Sequence, residues 1–519
     1  MLAHGGVLMH IEIVVNAGSN ETRIAILDDK RLVELWVERA SHERMVGDIY
    51  KGRVEAILPG LQAAFIDIGM EKSAFLHLSD ITEGLFDAED IQEGEGGESP
   101  HRRRRAHPTA IEDMLKGGQE VLVQISKEPM GTKGCRVTTQ LSLAGRFVVL
   151  IPSDEHVGVS KKLDDQEERQ RLRKIAGEAR PAGFGLIVRT VAEGKDKKDL
   201  KTDAALLVEL HDRIKRRAER MRAPALIQKE VSLTTSLVRD LFTENVDGLL
   251  IDSRREYREI LYYLRTVAPE LRHRIKLYEG KASIFEAHEV EDQIEKALQR
   301  KVWIKRGGYI TIDQTEALVA IDVNTGRFVG KRDPEQTILE TNLEAAKEIA
   351  RQLRLRDVGG IIVIDFIDME SKGNRKRVLE ALKEGLKNDK ARTKAYEVGP
   401  LGLVEMTRKR VRPSLWHTFC EPCPSCEGTG RVLSRLTMAI RLERWLKKFG
   451  EELRGSRLEI RLHPTVAAYL QEEGYPILAQ LERDYDLRLN VSEESSLPLE
   501  EFQVHSLDTN MEITEEFFR

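Results

Sequence analysis

Two aspartates have the residue type and the setting that metal-assisted chemistry on a phosphate ester requires. Asp322 and Asp365 each end a run of apolar residues, and Asn324 lies two positions beyond the first of them. Two carboxylates held side by side would repel each other, and a hard divalent cation such as Mg²⁺, which prefers oxygen ligands, removes that conflict. Asn324 falls on the same strand face as Asp322, so its amide could hold a phosphate oxygen. These residues predict a magnesium site that acts on phosphate.

The segments around the two aspartates predict a βαβ unit that would bring them together. Residues 309–324 have the pattern of a hairpin, and residues 333–356 carry an Asp-Pro start signal followed by apolar residues at helical spacing. Residues 359–360 are both glycine and are expected to end that helix, and the apolar run 361–364 is typical of a strand buried on both faces. The strands of such a unit are parallel, so both aspartates should lie at the carboxyl edge, where open α/β sheets bind ligands.

The alternative for each aspartate is that it only ends a strand. An aspartate after an apolar run is common, and either residue taken alone would more often meet solvent than bind a metal. Two of them on one βαβ unit reverse that preference. Asp368, three residues after Asp365, is expected to point to the opposite face unless the strand has already ended.

Three cysteines with regular spacing suggest a metal site rather than a disulfide framework. Cys420, Cys423 and Cys426 are each separated by two residues, and the 519-residue chain contains only 4 cysteines. Zn²⁺ takes a tetrahedron of ligands, so one such segment supplies only part of a site. Either His417 and Cys420 complete the site locally, or two chains each contribute Cys423 and Cys426. Thiols that stay reduced predict a cytoplasmic protein.

Residues 47–81 have the pattern of a small barrel. Short apolar runs separated by glycine-containing turns predict its strands. Phe65 and Phe75 lie across a predicted hairpin, with Tyr, Lys and Arg residues nearby. Bases of single-stranded RNA stack on flat rings while cations follow the backbone. From composition alone, however, core positions are favoured for both phenylalanines.

Composition excludes several classes of protein. With 41% hydrophobic and 33% charged residues, the chain can bury a substantial core. No apolar run approaches the roughly 18 residues that span a bilayer, and the start of the chain lacks the pattern of a signal peptide. The net charge of −5 hides an acidic run at 83–98 followed by a basic run at 101–105, a pattern typical of a solvated insertion.

Three segments are specific enough to indicate a family. They read YITIDQTEALVAIDVNTG (309–326), ETNLEAAKEIARQLRLRDVGGIIVIDFIDM (340–369) and CPSCEGTG (423–430). Residues 47–81 in turn resemble the S1 domain, an RNA-binding barrel. Together these segments closely resemble the ribonuclease E/G family, from about Ile11 to the C-terminal region. Because the chain ends soon after that region, it resembles the shorter members of the family.

The resemblance implies a multidomain α/β and β fold. Following the family, we expect an RNase H-like subdomain in two parts (1–42 and 235–297), an inserted S1 domain of the OB-fold type (43–134) with a mobile insertion at about 87–108, a 5′-sensor region (135–234), a DNase I-like catalytic subdomain (298–419), a zinc-link (420–433) and a small C-terminal domain (434–519).

The resemblance also implies an activity and its residues. It implies Mg²⁺-dependent internal cleavage of single-stranded RNA in rRNA processing and mRNA decay, stimulated by a 5′-monophosphate and leaving a 5′-phosphate and a 3′-hydroxyl. The family's residues fall on Asp322 and Asp365 for Mg²⁺, Asn324 for phosphate, Phe65, Phe75 and Lys127 for RNA, Arg189 and Thr190 for the 5′-phosphate sensor, and Cys423 and Cys426 for Zn²⁺ shared between two subunits.

Some alternatives stay open at this point. The shared zinc implies a dimer, whereas pairing of dimers into tetramers and the role of Cys420 are left undecided. A non-catalytic RNA-binding protein would keep the barrel and the cysteines but use the aspartates structurally. A metal-dependent phosphatase would use the same edge of the βαβ unit on a terminal phosphate.

Overall fold

The computed structural model describes residues 10–39, 44–82, 110–129, 134–152, 155–160, 163, 165–305, 307–326, 334–387, 389–399, 402–472 and 476–514. The chain divides into two compact units, Met1–Thr418 and Phe419–Arg519. The expected insertion at 87–108 and the predicted helix cap Asp333 lie outside the described residues. Within the described ranges, no helix combines the length and the apolar character that crossing a membrane requires. The architecture is multidomain α/β with a closed barrel.

The first sheet begins with an antiparallel meander. Its strands are β1 (Ile11–Ala17), β2 (Glu21–Asp28) and β3 (Arg31–Arg39). Asp29 and Lys30 connect β2 to β3 with φ angles of 47° and 63°. Positive φ at both central residues is the geometry of a tight two-residue hairpin, which follows the twist of the strands.

A barrel follows, as predicted from residues 47–81. It contains β4 (Ile49–Leu58), β5 (Ala63–Asp67), β6 (Ala74–His77), α1 (Ser79–Thr82), α2 (Ile111–Met114), β7 (Glu120–Lys127) and β8 (Arg136–Thr138). The strand order β4-β5-β6-β8-β7 closes through pairing of β7 with β4. Gly52 permits the close approach that closure needs, because a Cβ at this position would lie 2.5 Å from Ile66.

A four-stranded sheet covered by two helices comes next. Its elements are β9 (Leu143–Ala144), β10 (Val148–Pro152), β11 (Val157–Val159), α3 (Gln166–Ala179), β12 (Phe184–Val188) and α4 (Lys197–Arg220), after which β13 (Ala225–Gln228) pairs with β4 of the barrel. Helix α3 begins at Gln166, because the Asp165 side chain accepts the backbone N–H groups of Glu167 and Glu168 and caps it there.

The chain then returns to the first sheet, as the sequence suggested. The elements are α5 (Leu233–Leu241), β14 (Val246–Ile251), α6 (Arg254–Val267), β15 (Ile275–Leu277), α7 (Ile284–Ala287) and α8 (Val290–Leu298). Strand β14 lies parallel to β1, which completes the order β15-β14-β1-β2-β3.

A six-stranded sheet carries the two aspartates. It is built from β16 (Lys301–Trp303), β17 (Tyr309–Gln314), β18 (Leu318–Asn324), α9 (Pro334–Leu355), β19 (Gly360–Asp365), α10 (Lys372–Leu386), β20 (Thr393–Ala395), β21 (Val404–Arg408) and α11 (Leu415–Phe419). The order is β16-β17-β18-β19-β21-β20, and β18 and β19 are parallel. The predicted βαβ unit is therefore confirmed. One face of the sheet shares a buried core with α9 and α10.

One local expectation for this sheet was wrong. Strand β19 was expected to be buried on both faces, but Ile361 is 55% exposed and only the alternate residues Ile362 and Ile364 are fully buried. The helices cover one face alone. The helix α9 ends at Leu355, one residue before the predicted end at Arg356. Asp357, rather than the glycine pair, terminates it: Asp357 adopts a left-handed conformation (φ 50°), and the Val358 N–H donates back to the Leu353 carbonyl.

The second unit has its own sheet and core. Its elements are α12 (Arg435–Phe449), β22 (Arg457–Leu462), α13 (Pro464–Glu472), α14 (Pro476–Tyr485), β23 (Arg488–Glu493), β24 (Phe502–Ser506) and β25 (Met511–Glu512), with strand order β23-β22-β24-β25. Trp445, Phe449 and Phe502 pack ring against ring in its core.

Candidate active site

The two aspartates lie directly opposite each other at the ends of neighbouring strands. Asp322 on β18 pairs in parallel register with Asp365 on β19, and both residues are exposed. Strands in a sheet are about 4.8 Å apart, so the two carboxylates are close enough to share one cation. The carboxyl edge of the βαβ unit thus presents a pair of acidic groups to solvent.

Asn324 is oriented by the first of these aspartates. Its Nδ2 donates to Asp322 Oδ2 at 2.6 Å, which places both side chains on one face of β18. Glycines allow the neighbouring backbone to approach this point: a Cβ on Gly308 would lie 2.8 Å from the Asn324 carbonyl oxygen, and a Cβ on Gly326 would lie 2.3 Å from the Gly307 carbonyl oxygen. The side-chain amide of Asn324 is therefore oriented by Asp322, and its backbone is closely approached by the glycine-containing turn.

The charge at this edge is concentrated. Partial burial raises the pKa of Asp365, and the negative charges of Asp322 and Asp368 raise it further. Strand β19 ends at Asp365, so the alternation of side chains along a strand does not decide where Asp368 points. Asp368 lines a cavity of about 230 Å³ together with Arg375. A bound cation would stabilise the ionised form of a carboxylate whose pKa neighbouring negative charges have raised.

The donor set suits Mg²⁺ in its chemistry. Two carboxylates and an amide oxygen are hard ligands, and Mg²⁺ is usually bound by one or two carboxylates while it keeps several waters. Across the described ranges, no group of three or more His, Cys, Asp or Glu side chains is placed to hold a metal ion. The site is therefore a carboxylate pair rather than a closed cage.

The barrel presents one row of rings and cations. Across its strands Phe65 pairs with Phe75, Phe75 with Arg136, and Arg136 with Lys127. The two phenyl rings are half-buried, with centroids 6.1 Å apart at 67°, and neither belongs to the buried barrel core. Arg136 donates to the Asp80 carboxylate at 2.7 Å, whereas Lys127 is exposed. The row has the composition that single-stranded nucleic acid requires.

Arg189, at the end of β12, already has partners in the protein. Its Nη1 lies 2.7 Å from the Gly145 carbonyl oxygen and 2.8 Å from Asp240 Oδ1. Burial would raise the pKa of Asp240, but Arg189 and Arg239 outweigh it and lower that pKa. Thr190 is exposed and begins a short turn. A phosphate at this place would meet an arginine that a carboxylate holds in position.

The cysteines lie in a turn of the second unit. Cys420 and Cys423 are exposed and Cys426 is half-buried. Backbone N–H groups of Ser425 and Cys426 lower the pKa of Cys423, with Ser425 the larger contributor. The Glu427 N–H closes the turn onto the Cys423 carbonyl at 2.8 Å. A thiol with a lowered pKa supplies a thiolate ligand more readily.

Comparison with known proteins identifies the family. The model of the Ribonuclease E/G family matches residues 142–411, and that of the RNase E/G thioredoxin-like domain matches residues 422–507. Ribonuclease G of Salmonella typhimurium (strain SL1344) is 40% identical over 96% of this chain and 99% of its own length. The chain belongs to the ribonuclease E/G family.

Other members of the ribonuclease E/G family agree with this assignment. Ribonuclease G of Haemophilus influenzae is 39% identical over 95% of this chain and 99% of its own length. Ribonuclease E of Escherichia coli K12 is 38% identical over 89% of this chain, but the match covers only 42% of that longer protein. The match to the ribonuclease G proteins thus spans both chains almost completely.

Sequence reasoning missed several side chains that shape these sites in this family member. Arg136 and Asp240 were not singled out, since their roles depend on cross-strand pairing and on a contact between distant segments. Asp368 was expected on the opposite face unless the strand had already ended, and the strand does end at Asp365. Arg136 lies just beyond the expected S1 boundary at residue 134, so no barrel strand was predicted at its position.

Proposed function

We propose that this member of the ribonuclease E/G family is a magnesium-dependent endoribonuclease that cuts single-stranded RNA internally. Its family makes it an endoribonuclease, and relatives named ribonuclease G and ribonuclease E match it over nearly its whole length. The observation that carries the site assignment is the register of Asp322 opposite Asp365 on neighbouring parallel strands.

In this proposal Asp322 and Asp365 hold Mg²⁺. The bound ion would polarise the scissile phosphate and lower the pKa of an attacking water. Asn324 keeps Asp322 oriented through its amide hydrogen bond, and the same amide is close enough to the edge to contact a phosphate oxygen. A cation between the two carboxylates would remove the repulsion that raises the pKa of Asp365.

The reaction is hydrolysis of one phosphodiester. The oxygen of a water molecule forms a bond to phosphorus, the bond from phosphorus to O3′ breaks, and the O3′ atom takes up a proton. The products would then carry a 5′-phosphate and a 3′-hydroxyl, as the resemblance to the family implies. The proposed roles in the cell are rRNA processing and mRNA decay. If the barrel is an S1 domain, its row of rings and cations from Phe65 to Lys127 would bind the single-stranded RNA.

The remaining assignments from the family belong to the same proposal. Arg189 and Thr190 would sense a 5′-monophosphate, since a guanidinium fork suits a phosphate and Asp240 fixes its position. The first sheet would be RNase H-like and the six-stranded sheet DNase I-like. Cys423 and Cys426 of two copies would share one Zn²⁺ and link the copies as a dimer.

Cleavage of a 5′-monophosphorylated, single-stranded oligonucleotide in Mg²⁺ tests the central proposal. The wild-type protein should make internal cuts, and Asp322→Asn and Asp365→Asn should each abolish them while RNA binding is retained. Asp313→Asn is the matched control, because Asp313 lies on the same face of the sheet but pairs with Arg300. Binding without cuts in the wild type would indicate a non-catalytic RNA-binding protein, and loss of the terminal phosphate alone would indicate a phosphatase.

A further inference from the structure

The open face of the six-stranded sheet carries an aromatic pair in register with the active site. Trp303 on β16 lies opposite Tyr309 on β17, and Tyr309 lies opposite Asn324 on β18. Residues that pair directly across strands project from the same face of a sheet. Both rings therefore stand on the face that also presents Asp322, which is two residues before Asn324 on the same strand.

A second row on this face connects a lysine to both carboxylates. Lys301 on β16 pairs with Thr311 on β17, Thr311 pairs with Asp322, and Asp322 pairs with Asp365. One cation and two anions therefore lie in a single line across four strands. The line formed by Trp303, Tyr309 and Asn324 runs parallel to it, two residues away along each strand.

The aromatic pair is unusually open to solvent. Trp303 is 63% exposed on the edge strand, and its ring centroid is 5.5 Å from that of Tyr309 at 64°. The Lys301 ammonium lies 3.5 Å from the centroid of Tyr309 and 4.2 Å from that of Trp303. Within the described part of the chain, Lys301 has no carboxylate partner. A tryptophan usually buries most of its surface, so an exposed one beside a lysine that contacts rings but no carboxylate indicates a binding surface.

We propose that Trp303 and Tyr309 form a stacking platform for bases of the RNA strand next to the scissile phosphate, with Lys301 at the RNA backbone. The platform rests on the proposed function and adds a binding site to it. Single-stranded RNA is bound without strict sequence preference by rings that stack on bases and by cations that follow phosphates. Trp303 is two strand spacings from Asn324, about 10 Å, which is a span of roughly one or two nucleotides.

Trp303→Ala is the decisive variant, because an exposed side chain on an edge strand can be removed without disturbing a core. Tyr262→Ala is its control: Tyr262 is 77% exposed on α6, away from this sheet. Trp303→Phe keeps a ring at the same place. The substrate is a 5′-monophosphorylated oligonucleotide with a single cleavage site, prepared intact and with one base at a time removed on either side of that site.

Three measurements follow from the proposal. Trp303→Ala should raise the KM, and the Kd measured in an Asp365→Asn background, by about 5- to 150-fold. Tyr262→Ala should change neither, and Trp303→Phe should recover most of the affinity. Removing the base that stacks on the platform should weaken binding to the wild type but have little further effect on Trp303→Ala.

The outcomes separate this inference from the proposed function. If the wild type makes no internal cuts, the proposed function fails. If the wild type cuts and Trp303→Ala has the KM and Kd of the control, the platform is overturned while the function stands. If Trp303→Ala converts dimers to monomers in ultracentrifugation at unchanged RNA affinity, the face is an interface between two copies of the chain, which also overturns the platform.

Discussion

Glu34 is the residue whose replacement we expect to cost the most stability outside the hydrophobic core. It lies in β3, is only 6% exposed, and accepts hydrogen bonds from Arg354 of α9 at 2.9 Å and from Lys390 at 3.2 Å. Arg412 adds a third positive charge nearby, and its guanidinium lies 3.5 Å from the ring centroid of Trp36. The carboxylate thus joins the first sheet to the six-stranded sheet and its helix.

The loss of stability that we expect on replacing Glu34 can be worked out from the pKa of its carboxyl group. Burial raises this pKa, but Lys390, Arg354 and Arg412 outweigh burial and hold it at about 2, against an ordinary value of 4.5. This difference corresponds to roughly 3 kcal/mol of folding free energy. Burial lowers the pKa of Lys390 and offsets part of the gain, so Glu34→Gln should lower the free energy of unfolding by roughly 2–3 kcal/mol at neutral pH.

The stability that Glu34 contributes should depend on pH in one direction. Because the pKa in the folded state is the lower one, the contribution of Glu34 is fully present above about pH 4.5 and is lost as the pH falls toward about 2. Urea unfolding of the wild type and Glu34→Gln, followed by tryptophan fluorescence, should show a difference that shrinks over this range. Glu178→Gln, which breaks an exposed pair with Lys197, should show no measurable change. A Glu34→Gln difference that is independent of pH, or equal to the control, would refute this reasoning.

Further predictions concern RNA, the 5′ end and zinc. Phe75→Ala should weaken binding of single-stranded RNA by about 5- to 150-fold in fluorescence anisotropy, because one stacked base is lost. Arg189→Ala should reduce the ratio of cleavage rates for 5′-monophosphorylated over 5′-hydroxyl RNA, and an unchanged ratio would count against a sensor at this position. Metal analysis should find about half a zinc per chain, and Cys423→Ser should remove both the zinc and the dimer; one zinc per chain would instead favour a local site with Cys420.

Much of the active site could be predicted from the sequence because it depends on short-range rules. The hairpin, the helix and the apolar run around Asp322 and Asp365 each have a clear period, and a βαβ connection forces the two strands to be parallel. The barrel was predicted for the same reason, since short strands and glycine-containing turns alternate over residues 47–81. In both cases the local pattern and the tertiary arrangement agree.

What could not be predicted depends on strand order and on contacts between distant segments. An apolar strand such as β19 has the same sequence pattern whether one face or both are covered, and only the position of the helices leaves Ile361 exposed. Asp357 ends α9 because its carboxylate is also held by Arg408 and Arg412, and neither partner is visible in the local pattern. The line from Lys301 to Asp365 requires the register of three strand pairs at once.

Helix α9, which connects β18 to β19, is fixed from both sides. One face of α9 packs Leu339, Ile349 and Leu353 into the core beneath the sheet. On another face Arg351 donates to the Leu32 carbonyl and Arg354 to Glu34, so the first sheet holds the helix. The spacing of Asp322 and Asp365 is set by the direct pairing of β18 with β19, in which Glu34 takes no part. A variant at the site and a variant that loosens the helix should therefore differ. Asp365→Asn should lose cleavage at unchanged stability. Glu34→Gln should lose stability but should cleave RNA as long as it is folded.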